Sequence, residues 1–451
     1  MPRPGRPARA AALAAAFAAS AGPAWPGDRS LTGSISQQFI ADSNVQLREG
    51  DGSSLGSITS VGLRYADERA TSTLSLSGSA SYSAFTGREN DNISGLFPTI
   101  DGGYVVRRPT RTFGFNFGAR VQPVDFFQNT NIIVPGEPPD PDADDPDPEV
   151  PDAERNIETE ALRIRGNAGF TYNQQVNSRD SISASLFASF IDFTESDDEL
   201  VPSQTLGYST GWNRVFTSKV SGGLNASVRY FQSDDVDDRR TISIDLVPGL
   251  SWQRTPNESY SFSLGPAFNI TERRIPLLGG GVREEQEETI SARGSAGITY
   301  TGDVSTFSAS LSQEVDPTDE GVVANRTTLR AAWNRRLSAT SSLNLAANGT
   351  FRTALSGDTD PDDDIDRVFG RVQGGYQRSI NTFSSANAFT FYQIDDDSDV
   401  DRGTVGVGAN YSYRLTEAVS ANLGYTYRLE DSRESSHRVF LTLSRGFTLI
   451  P

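Results

Sequence analysis

Apolar and polar residues alternate with a period of two through most of this chain, and the pattern is clearest between Gly403 and Phe447. Three segments there carry an apolar residue at nearly every second position, from Val405 to Tyr413, from Val419 to Tyr427 and from Val439 to Leu443. Glycine, serine, threonine and asparagine fill most of the positions between them. Because successive side chains of a β-strand point to opposite faces, the pattern predicts strands with one apolar face and one small, polar face.

The same alternation repeats back to Leu31, and its strands are joined by two kinds of connection. Short turns lie near Asp67, Asn177, Phe216, Pro256, Gly302, Ser338, Ser379 and Thr416. Longer acidic connections lie between them, at 195–199, 234–238, 284–288, 316–320, 358–366, 395–401 and 430–434. Regular alternation of short and long connections is typical of an up-and-down antiparallel barrel. The count predicts an all-β, transmembrane barrel of about 20 strands, with about 18 as the alternative.

Two further stretches carry weaker patterns. The segment from Thr86 to Pro109 is predicted to be a long connection, and the segment from Val124 to Ile133 a weak strand. Proline and acidic residues then crowd residues 134–158, which predicts a disordered, solvated extracellular loop. A linker between two domains is the alternative, but the strand pattern resumes unchanged at Leu162 and favours the loop.

No amphipathic helix is predicted that could cover the apolar face of these strands. A soluble sheet would need such a layer, whereas in a membrane the apolar face contacts lipid and the polar face lines a lumen. Residues 1–24 combine arginines, a short alanine-rich core and small residues, as in a secretory signal peptide. No stretch reaches the roughly 18 apolar residues of a spanning helix. We therefore predict a barrel over residues 25–451 that lies in the outer membrane of the cell.

Composition narrows the classes of function. The chain holds no cysteine and one histidine, which excludes disulfides and thiolate metal sites and leaves little room for imidazole chemistry. Its net charge of −18 argues against nucleic acid as a partner, because a phosphate-binding surface needs a basic face. No metal, cofactor or catalytic residue is predicted. His437 is interpreted as a surface residue, since nothing in the sequence marks the partners of a catalytic triad.

Aromatic residues share one position in many of the predicted strands. They lie on the apolar phase, at strand ends beside the short turns, where a girdle at the level of the lipid head groups is expected. The predicted girdle consists of Tyr65, Tyr172, Trp212, Trp252, Tyr260, Tyr300, Trp333, Tyr376 and Tyr413.

In these features the chain resembles the outer-membrane β-barrels of Gram-negative bacteria, and more loosely the β-barrel porin families of proteobacteria. The resemblance covers the whole mature chain and depends on pattern, without a diagnostic motif. It implies contact with outer-membrane lipid and lipopolysaccharide, and insertion by the barrel-assembly machinery. Barrels of this kind usually end on an aromatic residue that this machinery reads, and Phe447 is the corresponding assembly signal here.

The polar phase of the strands carries a set of arginines that are candidates to line a pore. They are Arg64, Arg120, Arg163, Arg165, Arg229, Arg293, Arg330, Arg352, Arg371 and Arg428. If they converge, they form a positive interior, and charged rings of this kind tune the ion preference of a pore. The alternative is that each arginine pairs with a lumen carboxylate, of which Asp245 is the clearest, and fills the barrel.

A barrel of roughly 16 or more strands leaves an aqueous channel unless a plug or loop fills it. Strands begin close to the cleavage site, so no N-terminal plug is predicted, and any constriction is expected from residues 124–158. The first hypothesis is a porin-like channel for passive diffusion of small hydrophilic solutes, with anionic solutes among the candidates. The alternatives are an export conduit for an anionic exopolysaccharide and a structural barrel that displays acidic loops.

Those loops, such as residues 358–364, also suggest weak binding of divalent cations. No segment of the sequence marks a subunit interface.

Overall fold

Twenty β-strands form the described part of a computed structural model of the chain. The structure describes residues 28–44, 53–86, 95–123, 162–194, 201–233, 239–276, 282–317, 323–354, 367–397, 400–430 and 435–450. The strands are β1 (Asp28–Asp42), β2 (Ser54–Arg69), β3 (Ser72–Thr86), β4 (Gly95–Arg108), β5 (Arg111–Pro123), β6 (Leu162–Gln175), β7 (Asp180–Phe193), β8 (Ser203–Thr217), β9 (Val220–Ser233), β10 (Arg240–Thr255), β11 (Glu258–Pro276), β12 (Val282–Thr301), β13 (Ser305–Pro317), β14 (Val323–Arg336), β15 (Ser341–Ala354), β16 (Arg367–Asn381), β17 (Ser384–Asp397), β18 (Val400–Arg414), β19 (Val419–Glu430) and β20 (Ser435–Ile450).

Each strand pairs antiparallel with its neighbours in sequence, and the sheet closes on itself. The first and last strands complete the ring, with a ladder that runs from Asp42 opposite Arg438 to Leu31 opposite Ile450. One irregularity, between Leu31 and Thr32, interrupts that register. Closure removes the two free edges that an open sheet would expose, which is what allows strands to cross a membrane. The prediction of an up-and-down barrel of about 20 strands is confirmed.

Both ends of the described chain lie at the rim that carries the short turns. Connections at this rim are two to four residues long, as at 70–71, 176–179 and 415–418. Side chains stabilise them: the Oδ1 atom of Asn177 accepts hydrogen bonds from the backbone N–H of Arg179, at 2.8 Å, and of Asp180, at 2.9 Å. By the usual arrangement of such barrels this is the periplasmic rim, and the opposite, outer rim carries the longer connections.

The outer face of the barrel exposes a band of large apolar side chains. Register sets them opposite one another, for example Ile35 opposite Val61 and Phe39 opposite Leu441. Ile290 is 74% exposed and Leu55 is 63% exposed. Exposing such a continuous apolar surface to water would cost free energy. In the hydrocarbon core of a bilayer the same surface contacts acyl chains, which removes that cost.

Within the described residues, no helix is long and apolar enough to cross a bilayer.

Three predictions of local structure are corrected. The segment 86–109 contains strand β4. Its alternation is hard to recognise in the sequence because Pro98 and the pair Gly102-Gly103 are residue types that are common in turns. The acidic residues 284–288 lie within β12 instead of a loop, and the predicted loop 395–401 lies within β17 and β18 except for residues 398–399. Acidic residues are tolerated there because both strand ends extend beyond the apolar band.

Several other predictions lie outside the described residues. These are the signal peptide at 1–24, the loop at 134–158 and the weak strand from Val124 to Ile133. In the sheet, β5 pairs directly with β6, from Arg111 opposite Gln174 to Pro123 opposite Leu162.

Candidate functional site: the lumen face

The lumen face changes character between the two rims. On β10, the lumen-phase residues Thr241, Ser243 and Asp245 are buried, whereas Ser251 and Gln253, nearer the periplasmic rim, are exposed. The described serines with no exposed surface, Ser83, Ser233 and Ser436, all lie toward the outer rim. The periplasmic half of the lumen therefore presents small polar groups to solvent, and the outer half is packed.

All ten predicted arginines lie on the phase opposite to the apolar band, as the strand registers require. Arg64 lies nearest to the periplasmic rim, and most of the others lie in the middle or the outer half of their strands. Arg163 is 2% exposed, and the guanidinium of Arg229 donates to the carbonyl oxygen of Val315 at 2.8 Å. Whether these residues line an open pore stays a prediction.

One ion pair joins β9, β10 and β12 at mid-height. The Nη1 atom of Arg293 donates to Oδ2 of Asp245 at 2.6 Å and to Oγ of Ser227 at 3.1 Å. The same carboxylate oxygen accepts from Ser227 Oγ at 2.6 Å. This arrangement corresponds to the alternative in which an arginine is paired with a lumen carboxylate, and it holds three strands together.

A second, more deeply buried cluster fastens the seam between β1 and β20. The carboxylate of Asp42 accepts from Arg438 Nε at 2.7 Å, from Arg428 Nη2 at 3.4 Å and from Ser436 Oγ at 2.5 Å. All four residues are less than 9% exposed. Of these four residues, Arg428 alone belongs to the set of predicted lumen arginines. Asp42 and Arg438 are separated by 396 residues, so only closure of the barrel brings them together.

A third group places like charges side by side on β14, β15 and β16. Arg326 of β14 is directly opposite Arg352 of β15. Four residues along β15, Asn348 lies on the same face between Arg330 of β14 and Arg371 of β16. Arg371 also lies over the ring of Phe391, with its guanidinium carbon 4.5 Å from the ring centroid. Like charges directly opposite in a sheet are destabilising. One acid, Glu314 on β13, is opposite Arg326 and offsets part of this charge.

The residues of the predicted girdle all lie on the apolar phase close to the periplasmic rim. Trp252 stacks on Tyr260 with ring centroids 5.4 Å apart, and Tyr172 contacts Phe113 at 5.0 Å. The register brings Tyr300 beside Phe307, and Phe307 beside Trp333. A role at the lipid head groups stays a prediction.

Two single residues from the sequence analysis have defined surroundings. Phe447 is opposite Gly33 on β1, and its ring covers the site where a side chain on Gly33 would lie. The last strand continues past it to Ile450. His437 lies on the outer phase at the outer end of β20, where its Nδ1 atom is 2.8 Å from the hydroxyl of Tyr425.

The predicted cation site on residues 358–364 lies outside the described part of the chain. Among the described residues, no group of three or more acidic or histidine side chains could hold a metal ion.

The fold is similar to solved structures of bacterial iron-uptake proteins. A mutant of the ferric enterobactin receptor PfeA from Pseudomonas aeruginosa matches with a TM-score of 0.52 and 11% identity, over 93% of this chain and 80% of that chain. The FrpB iron transporter from Neisseria meningitidis (F3-3 variant) matches with a TM-score of 0.51 and 7% identity, over 93% and 82%. The open form of the ferric-catecholate import receptor Fiu from E. coli K12 matches with a TM-score of 0.50 and 10% identity, over 92% and 81%.

No protein-family model matches the sequence, and no curated protein sequence matches it. At such low identity the structural likeness concerns the fold alone. A closed antiparallel barrel of 20 strands, apolar outside and polar inside, is the architecture of outer-membrane β-barrels. The protein is an outer-membrane β-barrel.

Proposed function

We propose that this protein is an outer-membrane channel for the passive diffusion of small hydrophilic anions. The observation that carries the proposal is the group of arginines on the lumen face of β14, β15 and β16. Arg326 and Arg352 are directly opposite one another, and Arg371 follows on the next strand. Folding brings these like charges together at a cost, and an anion in the lumen reduces that cost.

The periplasmic half of the lumen supports the same proposal. Thr306, Ser308 and Ser310 on β13 are exposed, lie on the lumen phase and carry small hydroxyl side chains. A barrel of this strand number is wide enough to hold an aqueous channel. Hydroxyl groups and water can replace part of the hydration shell of a solute without binding it tightly, as passive diffusion requires.

The first prediction concerns ion selectivity. We expect the double variant Arg330→Gln/Arg371→Gln to lower the chloride-to-potassium permeability ratio by about threefold, because two lumen charges are removed. The reversal potential across a planar bilayer with a salt gradient measures this ratio.

The chain offers a matched control for that experiment. Arg335 and Arg378 lie on the same two strands, but they are exposed on the phase of the apolar band near the periplasmic rim. The variant Arg335→Gln/Arg378→Gln removes the same charge and should leave the ratio unchanged. Equal ratios in both double variants would contradict the role of the lumen arginines.

An export conduit for an anionic polysaccharide is the second candidate. The packed outer half of the lumen favours it, since Phe231, Phe440 and Arg438 are all less than 9% exposed there. A conduit for a polymer must be closed at rest and open on demand. A refolded barrel without steady conductance in the bilayer experiment would favour this candidate over the passive channel.

A further inference from the structure

The barrel wall splits between β12 and β13 in its outer half. Their ladder runs from Thr301 opposite Thr306 to Gly294 opposite Gln313, and ends there. On its other side β12 stays paired with β11 as far as Val282, and β13 stays paired with β14 as far as Pro317. Within the described chain, residues 282–293 of β12 therefore have no ladder partner on the β13 side.

The ladder between the neighbouring strands is interrupted at the level where the split begins. Between β10 and β11 the ladder skips residues 246–248 and 264–266, which include Pro248 and Pro266. Neither proline has an N–H to donate, and proline is rare inside central strands. A side chain on Gly265 would collide with the carbonyl oxygen of Leu246, and one on Gly294 with that of Ser263. Backbones approach closely here, and only glycine fits.

Beyond the split, the end of β13 turns into the barrel. Val315 packs against Phe231 of β9 and Ala267 of β11, both of which are buried on the lumen phase. The carbonyl oxygen of Val315 accepts a hydrogen bond of 2.8 Å from Nη1 of Arg229. A strand that continued in the wall beside β12 could not make the contacts with β9, which is four strands away. Residues 124–158, from which a constriction is predicted, lie outside the described chain, whereas the end of β13 contacts lumen-phase residues directly.

The apolar band has a notch at the same place. On β12 it extends from Tyr300 to Ile290, whereas on β13 it covers only Phe307 to Leu311. Those five positions span about 12 Å of a band about 25 Å tall, given the rise and tilt of strands. Above Leu311, the same phase carries Gln313 opposite Thr327. Polar groups therefore interrupt the apolar surface at the depth of the outer leaflet, next to Ile290 of β12.

The polar groups behind the split suit a particular kind of ligand. Arg293 lies on the unpaired edge and holds a guanidinium on the lumen side. Two buried acceptor atoms lie on the neighbouring strands and have no hydrogen-bond donor: Oδ1 of Asp245 and Oδ1 of Asn269. Asn269 is 2% exposed and donates through Nδ2 to Ser291, on the edge itself, at 3.2 Å. A cation and orphaned acceptors together match a head group that combines an anion with hydroxyl donors.

We propose that the split between β12 and β13 is a side entrance from the outer leaflet. It takes an amphiphile whose acyl chain stays in the notch beside Ile290 and whose head group carries a phosphate and hydroxyl groups. The phosphate contacts Arg293, and the hydroxyls donate to Asp245 and Asn269. This route is independent of the axial channel proposed above, and its test requires no measurement of conductance.

The split itself is tested by disulfide cross-linking, for which the absence of native cysteine is an advantage. Continuing the β12–β13 register would set Ala292 opposite Val315, four positions above the paired residues Ala296 and Leu311. We expect the pair Ala296→Cys/Leu311→Cys to cross-link under mild oxidation, and Ala292→Cys/Val315→Cys to react at least tenfold more slowly. Equal rates would mean a continuous wall and would overturn the proposal.

The ligand is tested with a fluorophore that responds to its surroundings, attached at Ala292→Cys in lipid vesicles. The probes are myristoyl lysophosphatidylglycerol, the choline lipid with the same chain, and glycerol phosphate, which has no chain. We expect a saturable response to the first at concentrations at least tenfold lower than to the others, and its weakening in Arg293→Gln.

The control carries the same fluorophore at Ala188→Cys, on the apolar phase of β7 at similar height and in a fully paired part of the wall. Identical responses at both positions would mean that the lipid only partitions into the bilayer, and would overturn the proposed ligand. Equal responses to the glycerol and choline lipids would also overturn the proposed ligand.

Discussion

Asp42 shows how a single side chain contributes to closing the barrel. It is 4% exposed and accepts hydrogen bonds from two arginines and a serine of the last two strands. Burying these charges costs free energy, which their mutual contacts offset only while every partner is present. A change at this one residue therefore acts on the seam between β1 and β20.

The corresponding prediction is that Asp42→Asn destabilises the folded barrel by about 3–5 kcal/mol, because two buried guanidinium groups lose their counter-charge. The midpoint of urea unfolding in lipid vesicles measures the change. Asp101→Asn serves as the control, since Asp101 is an exposed lumen-phase residue of β4. A similar shift in both variants would show that the seam has no special dependence on its ion pairs.

At the scale of whole strands, the aromatic residues divide the outer face into levels. Trp212, Trp252 and Trp333 belong to three different strands, and each lies within six residues of a periplasmic turn. The stack of Trp252 on Tyr260 crosses two strands at the same level. A common depth is what a girdle at the head groups requires.

That depth can be measured with brominated lipids after Trp25→Phe removes the one tryptophan outside the described strands. We expect bromine near the lipid carbonyl groups to quench the remaining tryptophans at least twice as strongly as bromine at the chain ends. A tryptophan introduced in the middle of β7, Leu186→Trp, should show the reverse order when it is the only one present. Stronger quenching of the native three from the chain ends would exclude the girdle.

At the scale of the molecule, the rule that sets the fold is local, and the contacts that set the site are not. A strand that faces lipid on one side must alternate, so the strand pattern and the barrel could be predicted from the sequence. Strand β4 was missed because Pro98 and two glycines interrupt its alternation. The phase of each arginine also follows from alternation, and Arg293 with Asp245 could be anticipated as a pair.

The remaining features of the site depend on which strands become neighbours. Asp42 meets Arg438 only because the ring closes, and Arg326 meets Arg352 only in one register. In the sequence, the split beside β12 corresponds to a weak pattern: the polar residues Gln313 and Thr327 occupy positions on the apolar phase. Its meaning depends on the inward turn of β13, which alternation alone does not predict.

The proposed function is that of an anion-preferring channel that is open at rest. The most direct test is the single-channel conductance of the refolded mature chain in a planar bilayer with a salt gradient. We expect a steady conductance and a reversal potential whose sign shows preference for chloride over potassium. A barrel that is shown to be folded by its altered migration before heating, and that conducts no current or prefers potassium, would contradict it.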